Sequence, residues 1–146
     1  MSKAFVVMML IIAGSFVSLQ ASINARLAKH IGFVESAFVS FLVGTVTLFI
    51  VLLLKNGTGL KHISEVPIFY LTGGLLGAMF VYAVTYSVHI VGVTTALGIT
   101  IAVQLILGLV IDRFDPMKVA KFYVGPINIL GVLLLVIGVI MVGWRK

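Results

Sequence analysis

The chain has 146 residues, of which 62% are hydrophobic and 10% are charged, with a net charge of +6 and no cysteine. Soluble domains are about 45–50% apolar, so this composition excludes an ordinary soluble domain and indicates an integral membrane protein. The missing cysteines exclude disulfides and thiolate metal sites. The basic residues lie singly at the ends of apolar segments, which is typical of membrane-flanking cations and not of nucleic-acid binding.

Five segments are long and apolar enough to cross a membrane, since a helix needs roughly 20 apolar residues to span the bilayer core. The sequence therefore predicts an all-α membrane protein, with one five-helix domain over residues 1–146. The predicted spans are 4–25, 33–54, 66–88, 91–111 and 122–144. The segment from Lys3 to Gly14 also resembles a signal peptide. Its apolar character continues past Gly14, so we expect it to be retained.

The positively charged residues are divided almost evenly between the two sides of the membrane. Six lie on the side of the N terminus and four on the other, namely Lys3, Lys55, Lys61, Arg113, Lys118 and Lys121 against Arg26, Lys29, Arg145 and Lys146. The asymmetry of lysine and arginine sets orientation, and here it is weak. We therefore expect insertion in both orientations. An antiparallel homodimer would then supply the inverted repeat that many transporters carry within one chain. A fixed orientation with the N terminus inside is the alternative.

Gln104 is the only polar residue between Ile101 and Ile111. A buried amide without a hydrogen-bond partner costs a few kcal/mol, so Gln104 must bond to another helix or line a cavity. Other spans carry polar side chains on a single face, at spacings of four or seven residues. We predict a substrate pocket with apolar walls and these polar groups: Gln20, Asn24, Tyr82, Tyr86 and Gln104. The alternative is that the amides only bond helices together.

The charged and nucleophilic residues carry no enzyme signature. No span has an acid at mid-membrane, so carboxylate-driven proton antiport is not evident. Glu35 is the one acid that could face the bundle interior, although it also lies in a first helical turn, where the helix dipole favours negative charge. The three histidines show no metal-ligand spacing, and His89 is expected to be interfacial. We expect no catalytic site, metal or cofactor.

Small residues at four-residue spacing predict the faces through which the helices pack. In chain order these faces are Gly14, Ser18 and Ser22; Ser36, Ser40 and Gly44; Gly73 and Gly77; Gly98 and Ala102; and Gly131 with Gly138. Every span has such a side, so we expect a compact and oligomeric bundle.

Four motifs occur in a fixed order, QASINARLAKHIG, SFLVGT, GGLLGA and QLILGLVIDRF. Together they resemble the YdcZ-like family of the drug/metabolite transporter superfamily. The resemblance implies a five-helix subunit equivalent to half of a ten-helix transporter. It also implies antiparallel pairs, formed from one dual-topology chain or from two related chains.

The resemblance implies functional roles for Gln20, Asn24, Gln104 and Asp112, which match the family's motif positions. The chain departs from the family pattern at Val103 and Asp115, where glycine is usual. The related small multidrug resistance proteins carry a carboxylate midway along their first helix. This chain has serines and Gln20 in that region, so that proton chemistry is not carried over.

The expected function is a small transporter or facilitator of the bacterial inner membrane, with a path between two opposed subunits and alternating access. The cargo is a small organic molecule, neutral or amphipathic, since no fixed charge lies at mid-span. A tyrosine-lined pocket could also hold an organic cation by cation–π contact. The alternatives are a non-transporting membrane subunit that docks on a partner and a passive channel.

Overall fold

The computed structural model describes residues 2–114 and 123–144. These residues form five α-helices, α1 (Lys3–Ile31), α2 (Phe33–Leu54), α3 (Gly73–Val91), α4 (Val93–Phe114) and α5 (Pro126–Gly143). Two 3₁₀ segments, Thr58–Glu65 and Ile68–Thr72, lie between α2 and α3. All five helices are long and apolar enough to cross a membrane, if α3 is taken together with the second 3₁₀ segment as one span. The predicted all-α, five-span architecture is thereby confirmed.

The first helix extends beyond its predicted span. The span was predicted to end near residue 25, whereas α1 continues to Ile31 and has 29 residues, a length of about 43 Å. A bilayer core of about 30 Å is shorter than this, so the last two turns, which carry Arg26 and Lys29, project beyond it. Hydropathy marks only the part of a helix that lies in hydrocarbon, and lysine and arginine continue a helix well.

In the third and fifth spans, the regular α-helix begins later than the predicted start of the span. The third was predicted from residue 66, but its first turns are the 3₁₀ segment and α3 begins at Gly73. The fifth was predicted from residue 122, which lies outside the described residues, and α5 begins at Pro126. Proline suits this first helical position because its missing N–H would have no intrahelical partner there.

Glycines form the two tight turns between consecutive helices. Gly32 alone separates α1 from α2, with φ 99° and ψ 162°. Its N–H donates to the carbonyl of Ala28 at 2.9 Å and so satisfies the end of α1. Gly92 separates α3 from α4 with φ 81°. Both φ values lie in the region that favours glycine, which explains why these turns need only one residue.

Packing divides the chain into two compact units after His89. In the first unit α1 packs against α2, and α2 approaches α3 where a Cβ on Gly77 would lie 3.3 Å from Cζ of Phe41. In the second unit α4 packs against α5, and a Cβ on Gly98 would lie 3.3 Å from both methyl groups of Val139. The predicted contact positions Gly77 and Gly98 therefore lie at helix contacts.

The face of α1 that contacts α2 differs from the predicted one. The buried residues of α1 are Ala21, Asn24, Ala25 and Ala28. The predicted face of Gly14, Ser18 and Ser22 is exposed in the single chain. The hydroxyls of Ser18 and Ser22 donate to carbonyls of their own helix at 3.2 and 3.1 Å, so they need no second helix.

Four residues on which the charge count rests lie outside the described residues, namely Lys118, Lys121, Arg145 and Lys146, and so does Asp115, which departs from the family pattern. The orientation of the chain and its assembly into an antiparallel homodimer therefore stay predictions.

Candidate functional site

Four polar side chains form a hydrogen-bonded seam between α1 and α2, here called the amide seam, consisting of Gln20, Asn24, Ser36 and Ser40. The amide nitrogens of Gln20 and Asn24 both donate to the hydroxyl oxygen of Ser40, each at 3.3 Å. The hydroxyl of Ser36 donates to the backbone carbonyl of Asn24 at 2.8 Å. The seam thus joins two predicted site residues through one serine.

The one-residue turn at Gly32 explains why these side chains meet. Asn24 precedes Gly32 by eight residues and Ser40 follows it by eight, so the two lie at the same height in an antiparallel helix pair. Ser36 and Asn24 are the most enclosed members, with 0% and 4% of their surfaces exposed. Gln20 is exposed in the single chain and lies about 9 Å along α1 from Arg26. The amide seam therefore lies towards the membrane surface that carries the Gly32 turn.

The predicted tyrosine stripe of α3 lies beside the beginning of α2. The ring of Tyr86 meets Phe33 edge-on, with centroids 5.1 Å apart, and the ring of His89 does the same at 4.9 Å. Tyr82 lies one helical turn before Tyr86 on α3, and 42% of its surface is exposed. Two members of the stripe therefore share one aromatic neighbour.

Tyr82 contributes to an apolar groove between α2 and α3. The groove has a volume of about 420 Å³, and its lining includes Ala37, Phe38, Phe41, Ala78, Met79 and Tyr82. Tyr82 is the one residue of this lining that has a polar side-chain group, and the lining itself is almost entirely apolar. Such a surface accepts an apolar body.

Gln104 lies in the second unit, apart from the other predicted residues along the chain. It is the twelfth of the 22 residues of α4, and so lies at mid-span. Its side chain is exposed in the single chain, whereas the buried residues of α4 are Thr95, Ala96, Leu97 and Ala102. The described residues form no hydrogen bond with its amide. The structure thus brings Gln20 and Asn24 together, places Tyr82 and Tyr86 on one helix of the first unit, and places Gln104 in the second unit.

Two acidic residues that the sequence analysis singled out lie near helix ends. Glu35 is exposed in the first turn of α2, and its carboxylate lies against Gly32, which agrees with the helix-dipole interpretation. Asp112, to which the family resemblance gives a role, is partly exposed near the end of α4. Within residues 2–114 and 123–144, no group of three or more acidic, histidine or cysteine side chains could hold a metal ion.

Sequence reasoning missed three side chains of this region. Ser36 and Ser40 were interpreted only as small packing residues, although their hydroxyls complete the amide seam. The available signal was that Ser40 and Asn24 lie eight residues on either side of Gly32. His89 was expected to be interfacial, yet its Nε2 is buried, because the ring packs against Phe33.

Five apolar helices that are long enough to cross a membrane define a multi-pass helical membrane protein. Residues 5–141 match the family described as "Putative inner membrane exporter, YdcZ", and the chain belongs to this family. It is 32% identical to the Inner membrane protein YdcZ of Escherichia coli (strain K12) over 150 aligned positions, covering 100% of this chain and 99% of that relative. No solved structure matches the chain with significance.

These comparisons confirm the family that the four motifs indicated. They also confirm the prediction of a multi-pass inner membrane protein, since the relative is an inner membrane protein and the described helices can span a membrane. The family's description is that of a transport protein, which agrees with the expectation of a non-enzyme.

Proposed function

We propose that this chain is one subunit of a small-molecule exporter of the drug/metabolite transporter type. Two copies in inverted orientation would enclose the path, and access would alternate as one copy moves against the other. The family to which the chain belongs supports export across the inner membrane. The observation that carries the proposal is the position of Gln104 on α4.

Gln104 presents an amide at mid-span that has no hydrogen-bond partner among the described residues. An amide in hydrocarbon without a partner costs several kcal/mol, so a stable protein supplies it with one. Gln104 follows Gly92 by twelve residues, which is about 18 Å along α4. In an inverted copy across a core of about 30 Å, the second Gln104 would lie about 6 Å away in depth. Two glutamine side chains reach across that difference, or hold a ligand between them.

The α2–α3 groove supports an amphipathic cargo. Its volume of about 420 Å³ lies within the range of roughly 300–1,000 Å³ that small-molecule sites occupy. Its apolar wall suits a hydrocarbon or aromatic body, and the Tyr82 hydroxyl can orient one polar group. The same ring offers a face to an organic cation.

Leucine substitutions separate a binding role from a purely structural one. We expect Gln104→Leu to keep the dimer, measured by chemical cross-linking, and to abolish the rise in melting temperature that a bound ligand causes. The probes are tetraphenylphosphonium, as a lipophilic cation, and a panel of neutral metabolites. Val103→Leu is the matched control, because it changes the neighbouring exposed residue without removing an amide.

Gln20→Leu tests the amide seam in the same assay. If the amides only join helices, Gln104→Leu lowers the cross-linked dimer and Gln20→Leu lowers the melting temperature of the subunit itself, and the non-transporting alternative is favoured. Undiminished ligand-induced stabilisation in both variants would remove the pocket.

A further inference from the structure

The end of α3 holds two buried polar atoms without a hydrogen-bond partner among the described residues, Oγ1 of Thr85 and Nε2 of His89. Thr85 is 1% exposed. The other ring nitrogen of His89, Nδ1, lies 3.1 Å from the carbonyl oxygen of Thr85. A carbonyl oxygen only accepts, so Nδ1 carries the hydrogen and donates it. In the neutral ring, Nε2 then keeps a free lone pair inside the protein.

The ring of His89 is held in place by Phe33, which meets it edge-on at 88°. The titratable or charged side chains on this part of the first unit are Glu35 on α2, Tyr82 and Tyr86 on α3, and Arg26, Lys29 and His30 at the end of α1. The described residues form no hydrogen bond or ion pair between any of these groups and Nε2. The sequence of α4 has no titratable side chain before Asp112. Within residues 2–114 and 123–144, the lone pair therefore has no hydrogen-bond donor.

The other two histidines have different surroundings. His30 is exposed near the Gly32 turn. His62 is exposed and pairs with Glu65 at 2.9 Å. Protonation of either ring takes place in contact with water and places no cation in the protein interior. Among the partners that the described part of the chain offers, only His89 of the three keeps a buried ring nitrogen without a hydrogen bond.

We propose that Nε2 of His89 is a proton-binding site that couples the conformation of the proposed exporter to protons. A hydronium ion transfers its proton to the lone pair, leaving water and an imidazolium with hydrogens on both nitrogens. A proton needs no cavity, and histidine is the side chain that changes charge between pH 5 and 8. A buried cation without a partner is unstable, so protonation shifts the subunit to a conformation in which Nε2–H reaches water or an acceptor. Loss of the proton restores the described conformation.

This inference depends on the proposed function only for its role in transport, so proton binding is tested without a substrate. In full-length protein with ¹⁵N-labelled histidine in lipid bicelles, ring nitrogen shifts are followed from pH 8 to pH 5. The three signals are assigned with His89→Asn, His30→Asn and His62→Asn. We expect the His89 ring to begin as the Nδ1–H tautomer and to gain a hydrogen on Nε2 as the pH falls.

Hydrogen–deuterium exchange, corrected for its intrinsic pH dependence, measures the conformational response. We expect exchange in the last turns of α3 and the first turn of α2 to rise several-fold as the His89 signal changes. His89→Asn retains a donor near the Nδ1 position but lacks Nε2, and should abolish this rise, while His30→Asn should keep it. A His89 ring that stays neutral to pH 5, or an unchanged rise in His89→Asn, would overturn the proposal. The titration of the wild-type protein shows whether His89 binds a proton even if a variant fails to fold. Loss of ligand binding in Gln104→Leu tests the exporter role and not proton binding.

Discussion

Gly32 makes a turn that another residue would strain, and Gly32→Ala is the most informative stability test of the fold. Its φ of 99° and ψ of 162° lie in a region that is essentially limited to glycine. The carboxylate of Glu35 also occupies the space where a Cβ would lie. An alanine side chain must therefore distort the backbone and displace Glu35 from the first turn of α2.

The two causes have different magnitudes. Holding a non-glycine residue in this region costs about 1–3 kcal/mol. Moving Glu35, an exposed and flexible side chain, costs at most about 1 kcal/mol of its favourable contact with the helix N terminus. We therefore expect Gly32→Ala to lower the free energy of unfolding by about 1–4 kcal/mol. Gly108→Ala is the matched control, because Gly108 lies inside α4 and a Cβ there meets nothing within 4 Å. It should raise stability by about 0.5–1 kcal/mol, as alanine does in a helix interior.

Reversible unfolding in mixed micelles, followed by far-ultraviolet circular dichroism, measures these differences. In Gly32→Ala/Glu35→Ala the carboxylate contact is absent and the backbone strain remains, so the double variant should recover at most the smaller share of the loss. Full recovery would assign the effect to the carboxylate instead of the backbone. Equal stability of Gly32→Ala and Gly108→Ala would refute the reasoning altogether.

Two further predictions concern the amide seam and the orientation of the chain. Ser40→Ala removes the acceptor that Gln20 and Asn24 share, and it should lower the free energy of unfolding in micelles by about 1 kcal/mol. The control Ser18→Ala, at an exposed hydroxyl, should stay within about 0.5 kcal/mol of wild type. Equal losses in the two variants would contradict the role of the amide seam. The chain contains no cysteine, so Thr58→Cys gives a single label site, and a membrane-impermeant maleimide should modify about half of the copies in intact spheroplasts if insertion is dual, but all or none if it is fixed.

The number and type of helices could be predicted from the sequence because hydropathy is a local property of each segment. The ends of α1 and α3 were less predictable for the same reason. Arg26 and Lys29 end the hydrocarbon part of α1 but not its backbone hydrogen bonds, which continue until Gly32. In front of α3 the apolar residues of Ile68–Thr72 follow Pro67 as a 3₁₀ segment, a distinction that hydropathy does not make.

Part of the candidate site was also within reach of the sequence. The spacing of Gln20 and Asn24 predicted a shared face, and both amides point to Ser40. The identity of their partner depends on the register between α1 and α2, which a turn of unknown length leaves open. Once Gly32 is known to be the whole turn, counting eight residues in each direction pairs Asn24 with Ser40. The burial of His89 depends on the position of Phe33 on another helix, which no local pattern encodes.

The two glutamines look alike in sequence, since each is an amide among apolar residues twelve positions from a glycine turn. Their surroundings separate them. The donor of Gln20 bonds to Ser40 within its own helix pair, so replacing it weakens a contact that a single chain already makes. Gln104 has exposed apolar neighbours, such as Val103 and Leu105, and the described residues give its amide no partner. In hydrocarbon the cost of such an amide is offset only when it acquires a partner. Gln104→Leu should therefore weaken the interaction with a ligand or a second copy, whereas Gln20→Leu should lower the stability of the subunit itself.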